Sequence, residues 1–362
     1  MTLYNFCSVH VSEDTTYATL QLDENSLYIF CFPAKDKGNT TQRRTAMVGD
    51  FQIRTDLALE ARESCEADHI KLRGVRVEEE KDEEREVYTT TVVIETENGA
   101  KALGKPVGTY VTIEAPNMSS PDEDYHREIS QEIAEHLQKL LGDRRRSVLV
   151  VGLGNREVTP DALGPNVVGN LNITRHMIKE YGRLSGASGS GAQISALVPG
   201  VMAQTGMETL EIIKGVVDET KPEAVIAIDA LAARSTKRLN RTIQITDTGI
   251  NPGSGVGNHR NAINEETLGV SVIAVGVPTV VDAATIVNDT MEELIAEMDR
   301  SAGMQRLGGM LGTLNQAEKH QMIQELISPH LNTMFVTPKD IDETVKYLSY
   351  TISEGLNMAL SQ

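Results

Sequence analysis

Apolar segments alternate with amphipathic ones along most of this 362-residue chain. Residues 126–141 place isoleucines and leucines three or four positions apart, which predicts an amphipathic helix. The β-branched run Val148–Val151 that follows predicts a buried strand. Further elements are predicted in chain order: a helix at 166–181, a strand at 194–199, a helix at 209–221, and strands at 224–228 and 270–276. This alternation predicts an α/β fold with three α/β/α layers around a mostly parallel, twisted sheet.

Two regions depart from that alternation. Residues 70–116 show alternating Thr and Val with the turn signals Glu-Asn-Gly and Gly-Lys-Pro-Val-Gly, which predicts a small antiparallel β insertion. Near the end, Thr337 and Pro338 have the residue types of an N-cap and a first helical position, and an apolar stripe from Ile341 to Leu356 follows. A final helix is therefore predicted to begin there.

Composition restricts the class of partner. The formal net charge of −18 argues against a nucleic-acid-binding surface, which needs clustered Lys and Arg. Three cysteines without CxxC spacing make a disulfide framework or a zinc site improbable. The chain contains neither an apolar run of roughly 18 residues nor a secretory signal pattern, so we expect a cytoplasmic protein without membrane contact.

Two carboxylates follow predicted parallel strands. Asp161 comes after a glycine turn, where Thr159 is the expected N-cap of a helix and Pro160 its first residue. Asp229 ends the apolar strand that begins at Ala224, where an ionised carboxylate is unfavourable unless it is paired or functional. The carboxyl ends of parallel strands line one crevice, so the two side chains could converge there.

Each carboxylate also has a simpler interpretation. Asp161 could merely satisfy backbone N–H groups at a helix start. Gly152 and Gly154 could be half of a dinucleotide fingerprint, but Glu157 occupies the third glycine position and would repel a pyrophosphate. The glycines are better explained as a turn that directs Asp161. Two neighbouring carboxylates, one ionised and one protonated, would suit peptide hydrolysis.

Two further residues are candidates for contacting substrate or supporting the carboxylates. His259 lies in the glycine-rich stretch 246–259, where it is either a substrate or metal contact or a loop histidine bonded to backbone. Asp282 follows the third predicted strand and is either a supporting group or a helix-start carboxylate. No HExxH motif occurs, which excludes zincin chemistry, whereas a divalent metal held by carboxylates remains open.

Several long motifs resemble the germination proteases of spore-forming bacteria. They are IRTDLALEA, VGLGNREVTPDALGPNVVGNLNITRH, VIAIDALAARS and TGINPGSGVGNHR, and the resemblance extends from Phe51 to the C-terminus. It implies a fold like that of the hydrogenase maturation proteases. It also implies an endopeptidase that degrades small acid-soluble spore proteins during germination, in the cytoplasm of the spore core, and that assembles as a homotetramer without a cofactor.

The resemblance also assigns residues and boundaries. Asp161 and Asp229 match the two essential aspartates of the family, and a self-processing zymogen would be cut between Asp56 and Leu57. The expected organisation is an atypical extension at 1–46, a propeptide at 47–56 and one protease domain at 57–362. Met47 would be the true start, with an accessory hairpin at 1–46 as the alternative.

Two other classes of function remain in view. One is a metal-dependent maturation protease or amidase on the same fold. The other is a non-enzymatic protein that binds a nucleotide or a small acid in the crevice.

Overall fold

The structure of the protein, a computed structural model, describes residues 11–12, 15–23, 26–31, 56–67, 73–144, 147–185, 192–254, 260–300 and 334–361. The chain divides into two units, Met1–Gln52 and Ile53–Gln362. In the first unit, strands β1 (Val11–Ser12), β2 (Thr15–Asp23) and β3 (Ser26–Cys31) form an antiparallel sheet.

The second unit is built on one sheet in which nine described strands take part. Its strand order is β4-β5-β6-β10-β11-β9-β7-β8, and β12 pairs with β11 beside that path. The bounds are β4 Val75–Asp82, β5 Val87–Ile94, β6 Gly108–Glu114, β7 Ser147–Gly152, β8 Gln193–Leu197, β9 Ala224–Ala233, β10 Thr242–Thr246, β11 Ser271–Asp282 and β12 Phe335–Val336.

One half of this sheet is parallel and the other antiparallel. Strands β8, β7, β9 and β11 run parallel to one another. Strands β10, β6, β5 and β4 continue the sheet from β11 in antiparallel pairs. The predicted α/β class is confirmed, and the antiparallel strands from the region 70–116 extend the main sheet rather than forming a separate one.

Helices cover both faces of the sheet. Their bounds are α1 Ala58–Ala67, α2 Glu97–Leu103, α3 Glu123–Leu141, α4 Leu163–Gly169, α5 Arg175–Ser185, α6 Met202–Thr205, α7 Thr209–Thr220, α8 Glu265–Leu268, α9 Ala283–Arg300 and α10 Ile341–Leu360. Val148 and Val150 of β7 pack in the core formed with α3, α4 and α10, whereas Leu149 and Val151 face the core formed with α7 and α8. A strand buried on both sides explains why its sequence is continuously apolar.

The structure corrects one predicted helix. The single helix predicted at 166–181 is two helices, α4 and α5. The side chain of Asn357 in α10 explains the break, because it accepts from the N–H of Asn172 at 2.9 Å and donates to the carbonyl of Asn170 at 3.3 Å. These bonds satisfy backbone groups that a continuous helix would have paired internally.

Two predicted ends are also wrong. Strand β9 does not stop at Ile228 but continues to Ala233, so Asp229 lies within it. Helix α10 begins at Ile341 after Asp340, not at Thr337. The Thr337 hydroxyl is used elsewhere, since it donates to the carbonyl of Thr279 in β11 at 2.8 Å.

Candidate active site

Asp161 lies in a tight turn beyond strand β7. Residues Thr159–Asp161 form a short 3-10 turn whose N-cap is Val158, so the prediction of Thr159 as the N-cap of a helix is wrong. Helix α4 begins two residues after Asp161, at Leu163. The Asp161 carboxylate instead accepts a hydrogen bond from the backbone N–H of Asn155, at 2.8 Å from Oδ2.

Gly154 is required for that turn. Its φ is +105°, and a Cβ built on it would lie 2.0 Å from the carbonyl oxygen of Asp161. Any side chain at this position would therefore displace the backbone that carries the carboxylate. This geometry supports the interpretation of the glycines as a turn that directs Asp161.

Two hydrogen bonds fasten the Asp161 turn to the sheet. The N–H of Leu153 donates to the carbonyl of Ile228 in β9 at 2.8 Å. The hydroxyl of Thr279 donates to the carbonyl of Pro160 at 2.7 Å. Thr279 stands where the pairing of β9 and β11 shifts register, and such bulges commonly redirect a side chain near a functional site.

The side chain of Asp229 lies in the crevice next to Asp161 because strand β7, which neighbours β9, ends beside Asp229. The pairing of β7 with β9 stops at Gly152 and Ile228, one residue before Asp229. On the other side, Asp229 pairs with Gly276 of β11, which has no side chain. The Asp229 side chain is only 6% exposed, and its Oδ1 accepts from the N–H of Ala230 at 3.0 Å.

Burial and neighbouring charges shift the pKa values of both aspartates. Burial raises the pKa of Asp229 well above its ordinary value, and the negative charges of Asp161 and Asp56 raise it further. Burial also raises the pKa of Asp161, against the opposing effects of the Asn155 N–H and the charge of Arg260. Such surroundings favour a state in which only one of the two carboxylates is ionised.

Arg260 is a site residue that the sequence interpretation missed. Its positive charge lowers the pKa of both Asp161 and Asp229. The signal was available, because Arg260 directly follows His259 in the motif TGINPGSGVGNHR. The sequence pattern pointed to residues that transfer protons, and a permanently charged arginine does not.

The residue predicted to precede the scissile bond lies in the same crevice. The Asp56 carboxylate accepts from the hydroxyl of Ser254 at 2.8 Å and from the N–H of Ala232 at 3.2 Å. The Asp56 carbonyl accepts from the Lys105 amine and from the Gln244 side-chain amide, both at 3.0 Å. The next residue, Leu57, is fully buried.

Helix α1 holds the segment after Asp56 in place. The N–H of Ala58 donates to Oε1 of Gln244 at 2.7 Å. The buried Glu60 carboxylate accepts from the N–H groups of Arg234 and Ser235, at 3.1 and 3.2 Å, and pairs with Arg238 at 3.7 Å. Asp56 and the first turn of helix α1 are thus held against the end of β9 and the residues that follow it.

Three curated relatives resemble nearly the whole second unit. A protein of Caldanaerobacter subterraneus is 49% identical over 85% of this chain and 94% of its own length. A protein of Clostridium perfringens is 46% identical over 86% and 95%, and one of Bacillus velezensis is 41% identical over 87% and 95%. All three bear the name germination protease, and the family model of that description matches residues 53–306 and 296–362. This chain belongs to the germination protease family.

A solved structure shows a more distant similarity. A NiFe hydrogenase maturation protease from Thermococcus kodakarensis matches 40% of this chain and 80% of its own, at 18% identity and a TM-score of 0.27. The α/β fold class follows from the strand order and from the helices that cover both faces of the sheet.

The other candidates lie apart from the aspartates or outside the described residues. Asp282 is the last residue of β11, six positions beyond Gly276, which corresponds to about 20 Å of strand. His259 lies outside the described residues. Among the residues that the structure describes, no three His, Cys, Asp or Glu side chains could together hold a metal ion. Within the same part of the chain, no helix has the length and apolar character needed to span a membrane.

Proposed function

We propose that this chain is a self-processing endopeptidase that uses Asp161 and Asp229 as a general acid–base pair. One observation carries the proposal: the carboxylate of Asp56, at the predicted cleavage point, accepts from the N–H of Ala232, three residues beyond Asp229 in strand β9. The chain belongs to a family of peptidases, which supports the same activity. The hydrogen bonds that hold Asp56 at the end of β9 support it as well. In this proposal the two aspartates cut the Asp56–Leu57 bond.

The environments of the two aspartates suggest their roles. Asp229 is the more deeply buried, and two neighbouring negative charges favour its protonated form. Asp161 accepts a backbone hydrogen bond and faces Arg260, and both favour its ionised form. We therefore assign Asp161 as the base and Asp229 as the acid.

The reaction balances with one proton on the pair. Asp161 takes a proton from water, and the hydroxide adds to the carbonyl carbon of Asp56, which turns the carbonyl oxygen into an oxyanion. When that tetrahedral centre collapses, the C–N bond breaks and the Leu57 nitrogen takes the proton from Asp229. The products are an Asp56 carboxyl group and a Leu57 amine, and the pair again holds one proton, now on Asp161.

The substrate, assembly and compartment belong to the same proposal. The contacts of Ala232 and Ser254 with Asp56 would favour an acidic residue before the cleaved bond. Leu57 and Ala58 are fully buried, which would favour apolar residues after it. We propose small acid-soluble spore proteins as substrates in the spore core, acted on by a homotetramer without a cofactor.

The test is autoprocessing of the purified full chain at mildly acidic pH, followed by intact mass. Wild type should lose every residue before Leu57, and Asp161→Asn and Asp229→Asn should each slow this by about 10³-fold or more. Asp218→Asn alters an exposed aspartate in α7 and should process normally. Processing that persists in both site variants and stops with a chelator would replace the proposal by a metal-dependent mechanism.

A further inference from the structure

Three residues form a row across three neighbouring strands. Gly276 of β11 pairs with Asp229 of β9 on one side and with Gln244 of β10 on the other. Residues paired in this way point to the same face of a sheet, and strands are about 4.8 Å apart. Asp229 and Gln244 therefore stand about 10 Å apart on one face, and the side chain of Leu231 fills the space over Gly276 between them.

The peptide segment at Asp56 contacts this row through its backbone. Gln244 is buried, donates from Nε2 to the Asp56 carbonyl at 3.0 Å and accepts at Oε1 from the Ala58 N–H at 2.7 Å. One side chain thus holds the backbone on both sides of Leu57. Its two contacts fix the direction in which the Asp56 carbonyl points.

Lys105 supplies a second donor to the same oxygen. It follows α2, and its amine lies 3.0 Å from the Asp56 carbonyl oxygen. Burial lowers the pKa of this amine, and the neighbouring charges of Asp56 and Glu60 act in the opposite direction. The Lys105 amine is thus held at the oxygen where the proposed reaction develops negative charge.

We propose that Lys105 and Gln244 form the oxyanion site of this enzyme. The inference rests on the proposed function, because it takes Asp56–Leu57 as the cleaved bond. When hydroxide adds to the carbonyl carbon, the C=O π electrons move to the oxygen, and Lys105 Nζ and Gln244 Nε2 stabilise that charge without giving up a proton. The electrons return when the C–N bond breaks and the Leu57 nitrogen is protonated by Asp229.

In this arrangement different residues stabilise the carbonyl oxygen and protonate the leaving nitrogen. In an aspartate pair acting alone, the protonated member must both polarise the carbonyl and protonate the leaving amine. Here the carbonyl oxygen already has two donors, so Asp229 is available for the leaving nitrogen. Donors fixed in advance around a developing oxyanion each contribute about 10²–10³-fold in rate.

The experiment is the first-order rate of cleavage at Asp56–Leu57 in the full chain, measured by intact mass. We expect Lys105→Met and Gln244→Leu each to slow cleavage by about 10²–10³-fold. Lys105→Arg, which keeps a charged donor, should recover much of the rate. Lys101→Met, an exposed lysine in the preceding helix α2, should process as wild type does.

A loss of docking could imitate these results, so docking is measured separately. In the Asp161→Asn background, which leaves the chain uncut, hydrogen–deuterium exchange of residues 56–67 should be unchanged by Lys105→Met. Faster exchange there would assign Lys105 a purely structural role and overturn the inference. So would cleavage by Lys105→Met at or above the wild-type rate.

The same rate measurements distinguish a failure of the proposed self-processing from a failure of the oxyanion site. A wild-type chain that never cuts at Asp56–Leu57 overturns the proposed self-processing and the oxyanion site with it. A wild-type chain that cuts, beside Lys105 and Gln244 variants that cut equally fast, overturns the oxyanion site alone.

Discussion

The hydroxyl of Ser254 donates to Oδ1 of Asp56 at 2.8 Å, so the chain after β10 reaches the residue before the proposed cleavage point. A second donor to that carboxylate is the backbone N–H of Ala232, which no side-chain substitution removes. The Ser254 hydroxyl, in contrast, is a donor that a substitution can remove. A hydrogen bond to a charged group is worth about 1.5–3 kcal/mol.

We expect Ser254→Ala to slow autoprocessing by about 10-fold or more, because the Asp56 carboxylate loses a hydroxyl donor. The rate is followed as the appearance of a chain that begins at Leu57. Ser119→Ala, at an exposed serine before α3, is the matched control. If Ser254→Ala processes at the wild-type rate, this hydroxyl does not contribute to binding the cleavage point.

Gly154→Ala should abolish processing while leaving most of the fold intact. The added methyl group would lie 2.0 Å from the Asp161 carbonyl oxygen, and the φ of +105° is unfavourable for alanine. The turn must shift, and Asp161 shifts with it. The readouts are the processing rate and the thermal unfolding midpoint.

Gly169→Ala is the control for that substitution. A Cβ at Gly169 meets no atom within 4 Å, and this glycine closes helix α4. We expect normal processing and a change of no more than about 1 kcal/mol in the free energy of unfolding. Equal processing by the Gly154 and Gly169 variants would contradict the requirement for a close turn.

Arg260 should set the acidic side of the pH–rate profile. Its charge lowers the pKa of Asp161, which must be ionised to act as the base. In Arg260→Gln the pKa of Asp161 is higher, so the acidic limb should move to higher pH and the rate at its acidic end should fall by about 3- to 10-fold. The profile is measured on autoprocessing from pH 4 to pH 8.

Arg241→Gln, at an exposed arginine just before β10, controls for the loss of one positive charge. Its profile should coincide with that of wild type. An Arg260→Gln profile that falls uniformly at every pH would assign Arg260 to substrate binding instead of to tuning the aspartates.

Local sequence was enough to predict the central strands and to select the two aspartates as candidates. The run Val148–Val151 is apolar because both its faces are buried, and that signal requires no knowledge of its neighbours. Asp161 and Asp229 became candidates because each carboxylate follows an apolar run, where an ionised group is unfavourable unless it is paired or functional. The exact ends of the strands were less predictable. Asp229 lies beside the end of the neighbouring strand β7, whereas its own strand, β9, continues to Ala233.

The donors around Asp56 were not predictable in the same way. Gln244 is one polar residue in a short strand, and its role appears only when the register of β10 with β11 is known. Lys105 follows an unremarkable helix in a part of the sequence that looked like an insertion. Both residues reach the site through antiparallel pairing between distant segments, which neither spacing nor periodicity encodes.

The stability of Asp229→Asn relative to wild type should increase as the pH rises. The pKa of Asp229 is raised in the folded state, so the folded protein binds its proton more tightly than the unfolded chain. This contribution to stability is fully present below pH 3.8, the ordinary value for Asp, and is lost as the pH rises towards the folded-state pKa. An asparagine keeps the polar side chain neutral at every pH.

The measurement is the free energy of unfolding in urea at several pH values between 4 and 8. The difference between Asp229→Asn and wild type should grow with pH by up to about 1.4 kcal/mol per unit and level off above the folded-state pKa. Each kcal/mol would also raise the unfolding midpoint by about 2–4 °C. Asp218→Asn should show no such trend, and a pH-independent difference for Asp229→Asn would mean that this carboxylate is ionised in the folded protein throughout that range.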